Sequence, residues 1–191
     1  MNKNALIVIL VILGVIGIMF MSVIGAYNKL QVMDEQVTAN WAQVENQLKR
    51  RNDLIPNLVN TVKGYAKHEN EVFTNIADAR SKLAGSINNG DVKAIQQSNN
   101  ELNSALSRLL VVVENYPTLK ADKSFIGLQD ELTGTENRIA VARRDYNESV
   151  KEMNALVRTF PTSIVASIAN IEKREYFEVP EAEKATPKVE F

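Results

Sequence analysis

The longest run of consecutive basic residues in the chain is Lys49-Arg50-Arg51, followed closely by Asp53. Adjacent cations of this kind can hold a phosphate or a carboxylate. Lys49 and Arg50 are therefore a candidate interaction surface for an anionic partner, such as lipid phosphate. Arg51 is different, because it occupies a heptad position between Val44 and Leu58 where an apolar residue is expected. A guanidinium at such a position needs acceptors, since an unpaired buried charge costs several kcal/mol. Glu131 and Glu136, in a later helical run, can supply them. Arg51, Glu131 and Glu136 are thus a candidate structural ion pair that fixes register. The cluster then divides, with Lys49 and Arg50 solvated and Arg51 paired inside a bundle.

Other chemistry fits the residues poorly. Glu131, Glu136, Glu148 and Glu152 could suggest a carboxylate metal site, but that site needs Glu-x-x-His pairs on facing helices. The single histidine, His68, lies in KHEN, and no Glu stands three residues before it. It reads as a helix-face or surface residue. No nucleophile motif frames any serine, and no glycine-rich phosphate loop is present. The cysteine count is zero, which excludes disulfides, thiolate metal sites and a lipoprotein anchor. With 22 basic and 23 acidic residues the charge is balanced, so a nucleic-acid partner is not expected. No catalytic residue, metal or cofactor is expected, and the chain reads as a non-enzyme.

The elements that position these residues begin with an uncharged run at 5–26, ALIVILVILGVIGIMFMSVIGA, between Lys3 and Lys29. As a helix it extends about 33 Å, enough to cross a hydrocarbon core of about 30 Å. It is longer than the apolar region of a cleaved signal peptide, and Ile24-Gly25-Ala26 is a weak cleavage site. The run therefore reads as an uncleaved transmembrane signal anchor over 1–26, with the bilayer as partner through residues 5–26. Lys3 and the amino terminus lie on the short side. Lys29, on the long side, is followed by Asp34 and Glu35. This favours the amino terminus inside and the bundle on the extracytoplasmic side. Tyr27 is placed to sit at the interface, whereas Trp41 is about 22 Å further along a helix and reads as a core anchor.

Beyond the anchor, apolar residues recur at alternating steps of three and four. Val37, Val44, Leu58, Tyr65, Val72 and Ala79 form one set, and Trp41, Leu48, Ile55, Val62, Ile76 and Leu83 the other. Together they predict one long helix, interrupted at seam positions by Arg51 and Glu69, kinked near Pro56 and stopped at Gly90. Asp91 caps a second helix with Ile95, Leu102, Leu106, Leu109 and Val113 on one face. In a third, Phe125, Leu132, Ile139, Tyr146, Met153 and Phe160 fall seven apart, and Gly134 suggests a close helix approach. Pro161 stops it, and residues 164–171 suit a short fourth helix. No strand pattern occurs, and short connections make neighbours antiparallel. The fold class expected is all-α: an N-terminal transmembrane helix followed by an elongated antiparallel three- to four-helix bundle over 27–177. Residues 178–191, with Pro180 and Pro187, read as a disordered tail.

WAQVENQLKRRNDLIPNLVNTVKGYAKHE at 41–69 resembles the signature of the LemA family. So do YPTLKADKSFIGLQDELTGTENRIAVARRDYNESV at 116–150, Phe160-Pro161, and Tyr176-Phe177-Glu178. The resemblance implies a single-pass protein of the bacterial cell membrane with a helical soluble domain, and it implies no enzymatic activity. A membrane-anchored scaffold or protein-interaction module, its partner unidentified, is the expected function. The alternative is a membrane-shaping or envelope-stress assembly, in which bundles form homo-oligomers at the bilayer.

Overall fold

The computed structural model describes residues 3–178; the tail expected over 178–191 lies outside the described residues except for Glu178. Every regular element among them is helical: α1 Lys3–Lys63, α2 Asn70–Asn89, α3 Val92–Glu114, α4 Pro117–Lys120, α5 Lys123–Arg158 and α6 Thr162–Ile168. The all-α bundle follows the periodicities of the sequence.

The first run is not one helix to Gly90. Pro56 lies inside α1, and the chain breaks instead at residues 64–69. There, Tyr65 and Ala66 both donate backbone N–H groups to Val62 O, at 3.0 and 2.9 Å, and α2 starts afresh at Asn70. Ala66 is fully buried at this turn. The heptad pattern carries across it because both helices bury one face, so periodicity alone does not register the break. Tyr65 is accordingly exposed rather than in the seam.

Gly90 ends α2 with φ 69°, a left-handed conformation that costs glycine nothing. Asp91 then caps α3, its carboxylate accepting from Lys93 N at 2.9 Å and Ala94 N at 3.2 Å. Asp122 serves α5 in the same way, accepting from Ser124 N and Phe125 N at 2.8 and 3.0 Å.

Two compact units are formed. One comprises Trp41–Tyr146 with the segment from Tyr176. Its core takes Leu48 and Ile55 from α1, Ile76 and Leu83 from α2, Leu102 and Leu109 from α3, and Ile139 from α5. Each such side chain contributes about 1.5–3 kcal/mol by leaving water. Contacts of Arg51 with Glu136 and of Trp41 with Tyr146 set α1 and α5 antiparallel. No atom lies within 4 Å of a Cβ built on Gly134, so the close helix approach expected there does not occur.

The other unit comprises the chain up to Asn40 with Asn147–Glu175. Within it α1 and α5 keep opposite chain directions, and Leu30, Val37, Val150 and Met153 are buried. Phe160, expected to continue the α5 seam, is 76% exposed. The helix has already ended at Arg158, and the turn before α6 swings that side chain outward.

Candidate functional site

Proline at position 56 sets the local problem around the charged cluster. It has no N–H, so the carbonyl of Asn52, four residues back, has no helical donor. Arg80 on α2 supplies one, its Nε donating to Asn52 O at 3.0 Å. One residue earlier, Arg51 is buried in the bundle. Its Nη1 lies 2.7 Å from Glu136 Oε2 and donates to Asn99 Oδ1 at 3.4 Å. The Glu136 contact is close, but Oε2 makes no hydrogen bond of good geometry, so the attraction is chiefly coulombic. Burial pulls the Arg51 pKa below its ordinary value, and Glu136 opposes that shift.

The neighbouring cations behave otherwise. Arg50 Nη2 donates to Glu131 Oε1 at 3.1 Å, with both side chains open to solvent. Lys49 Nζ stands 4.0 Å from Glu45 Oε2 on its own helix. The structure thus separates Glu131 from Glu136 by partner: Glu131 meets Arg50, and Glu136 meets Arg51. Lys49 and Arg50 do not converge with Arg51 on a common ligand position.

Sequence reasoning missed Asn99, Arg80 and Asn52. Asn99 is a polar residue on the buried face of α3, one step from the Ile95–Leu102 spacing. The Arg80 contact had a signal in the proline itself, which requires a donor for Asn52 O but does not say where it comes from. Nearby, Ser86 and Ser98 hydroxyls meet at 2.8 Å, bridging α2 and α3.

Trp41 anchors the opposite end of this unit. Its ring centroid is 5.0 Å from that of Tyr146 and 6.0 Å from that of Phe177, within the range of favourable aromatic pairs. Its Nε1 donates to Glu45 Oε1 at 2.9 Å. Phe177 is buried, and Glu178 N donates to Gln96 Oε1 at 3.3 Å, so the late segment is tied to α1 and α3. Among the described residues no group of three or more His, Asp or Glu side chains is placed to hold a metal ion, and His68 is exposed. The Glu131, Glu136, Glu148 and Glu152 carboxylates do not converge.

In the unit that carries the amino-terminal part of α1, the apolar side chains from Ile9 to Ile24 are exposed, among them Leu10, Ile18, Phe20 and Met21. This stretch is long and apolar enough to cross a membrane. Tyr27 is exposed at its end.

Residues 40–191 match the LemA family. The chain belongs to the LemA family. The match covers the buried ion pair, the Trp41 cluster and the late Tyr176-Phe177-Glu178 segment, and it begins after the apolar run. Protein LemA of Metamycoplasma hominis is 27% identical over 171 residues, covering 88% of this chain and 76% of that protein. Magnetosome protein MamQ 2 of Paramagnetospirillum magneticum is 28% identical over 177 residues, covering 80% of this chain and 64% of its own length. Magnetosome protein MamQ of Magnetospirillum gryphiswaldense is 25% identical over 174 residues, covering 79% and 64%. This LemA-family chain therefore spans less than two thirds of the magnetosome proteins it matches. None of these names denotes a reaction.

Proposed function

We propose that this LemA-family protein is a membrane-anchored, non-enzymatic helical scaffold whose bundle binds a protein partner on the extracytoplasmic side. The observation that carries the reading is the exposed apolar stretch of α1, which no described part of the chain covers. Water leaves so large an apolar surface bare only at high cost, whereas hydrocarbon accepts it. The polar groups inside the bundle support a scaffold: Arg51, Glu136, Asn99 and Arg80 engage one another or the backbone rather than meeting around a reactive position. Lys29 followed by Asp34 and Glu35 supports the side assigned.

Two measurements on the full chain test this. Alkaline carbonate extraction should leave it in the membrane pellet; release into the supernatant would overturn the anchor. Because the chain has no cysteine, Asp78→Cys on the exposed face of α2 gives a single thiol. A membrane-impermeant maleimide should label it in intact cells. Labelling only after permeabilisation would place the bundle in the cytoplasm. Crosslinking from the same position, read by mass spectrometry, would identify the partner. Recovery of this chain alone would favour a homo-oligomeric assembly at the bilayer instead.

A further inference from the structure

We infer that the turn and helix at 160–168 form a second membrane contact, lying on the bilayer surface beside the point where α1 leaves it. The inference rests on the anchor reading and adds an interfacial site to it. Phe160, Ile164 and Ile168 are 76%, 54% and 77% exposed. Ile164 and Ile168 stand four residues apart on α6 and so share one face, while Thr162, Val165 and Ala166 are buried on the other. A seven-residue helix is thus apolar on both sides. One side is used inside the unit, and the other has no protein cover among the described residues.

The position of this stripe follows from contacts within the same unit. Arg174 Nη2 donates to Asp34 Oδ1 at 2.7 Å, and Nε donates to the same oxygen at 3.1 Å. Asn154 and Arg174 exchange hydrogen bonds at 2.9 Å, Nδ2 to the Arg174 carbonyl and the Arg174 N–H to Oδ1. Arg174 therefore bridges Asp34 and Asn154, which lie within the reach of one arginine side chain of each other. From Asp34 toward the amino terminus, α1 reaches Leu30 after about 6 Å and Ala26 after about 12 Å. From Asn154, α5 runs the opposite way along its own sequence and reaches Arg158 after about 6 Å, where it ends. The chain then turns through Phe160, forms α6, and returns to Arg174. Phe160 to Ile168 thus stand level with Ala26 and Leu30. Both of those residues are buried, at 8% and 0% exposure, although the apolar side chains from Ile9 to Ile24 are bare.

The occupant follows from that level. Where α1 changes from bare apolar to covered is where hydrocarbon gives way to headgroups, and the stripe of α6 stands beside that change. An amphipathic helix there places its apolar face about 5–10 Å into the headgroup and acyl boundary. Lys29 and Arg158, both exposed at the same level, suit anionic headgroups. The stripe stands where the bare apolar surface of α1 ends, which argues for lipid rather than a protein partner.

Single-cysteine variants of the full chain, Ile168→Cys, Ile12→Cys and Asp78→Cys, test the inference after labelling with an environment-sensitive fluorophore. They are reconstituted into phosphatidylcholine and phosphatidylglycerol vesicles carrying spin labels either near the headgroup or deep in the acyl chain. The label at position 168 should be quenched several-fold more than that at 78, most strongly by the shallow spin label, and should resist aqueous iodide. The label at position 12 should respond most to the deep one. If position 12 is quenched by lipid and 168 matches 78, the interfacial contact is overturned and the anchor stands. Shielding of 168 from iodide without lipid quenching would assign the stripe to protein and also overturn it. If position 12 is not quenched either, the anchor reading falls and the contact with it.

Discussion

Arg51 Nη1 and Glu136 Oε2 meet at 2.7 Å, yet the Arg51 side chain is 9% exposed and the Glu136 side chain 45%. The two partners are therefore unequal. The guanidinium has surrendered its water, and the carboxylate has kept part of its own. Losing the carboxylate should hurt more than replacing the arginine with an apolar chain of similar length. Glu136→Ala should destabilise the bundle by about 2–4 kcal/mol, since it strands a buried charge. Arg51→Met should change stability by less than about 1 kcal/mol, because Glu136 can hydrate. Arg50→Ala, at an exposed pair, should stay within about 0.5 kcal/mol. Urea denaturation of the three variants, followed by the emission of Trp41, makes the comparison. Equal losses for Glu136→Ala and Arg50→Ala would contradict this account.

Arg80 and Pro56 should be coupled. Arg80→Met removes the donor to Asn52 O and should cost about 1–2 kcal/mol. Pro56→Ala restores a helical N–H to that carbonyl. In the Pro56→Ala background the Arg80→Met cost should therefore shrink by about 1 kcal/mol, the coupling expected for groups sharing one acceptor. A double-mutant cycle by urea denaturation checks this, and strict additivity would break the link drawn through Asn52.

Acid should act on the start of α5. The Phe125 N–H, with the Tyr65 hydroxyl next, holds the Asp122 carboxyl below its ordinary value of 3.8. The Tyr65 hydroxyl donates to Asp122 Oδ2 at 2.9 Å, and this bond raises the phenol above its ordinary value of 10.0. A depressed folded-state pKa means the stabilisation is complete above 3.8 and is lost as pH falls through the lower folded value. Tyr65→Phe should move the Asp122 titration upward, toward its ordinary value, without reaching it, because the Phe125 bond remains. Asp122→Asn should lower the Tyr65 phenol. Carboxyl-detected NMR and ultraviolet titration read the two shifts.

Phe177 should matter far more than its place near the end of the chain implies. Phe177→Ala should destabilise the bundle by about 3–5 kcal/mol, as for other buried phenylalanines. It should also red-shift the emission of Trp41, the single tryptophan, by opening its ring to water. Thermal melting with fluorescence detection tests both effects. An unshifted emission maximum would mean that the 6.0 Å ring contact does not shield the indole.

The sequence by itself determined the helical class and its buried faces, the apolar run and the need for something to neutralise Arg51. Each is a local property. Heptad spacing marks a buried face, an uncharged stretch marks a solvent preference, and a charge in a seam demands a partner wherever that partner lies. Helix ends were legible where a residue acts on its own backbone, as Gly90 and Asp91 do. The tertiary structure alone decided which glutamate serves which arginine, because Glu131 and Glu136 are equally good acids and only the register of α5 against α1 tells them apart. It likewise decided that Arg80 repairs the backbone at Pro56, that Phe177 closes on Trp41, and that Phe160 leaves the seam its spacing assigned to it. These depend on where the chain turns back on itself, and a heptad count continues through a turn without registering it.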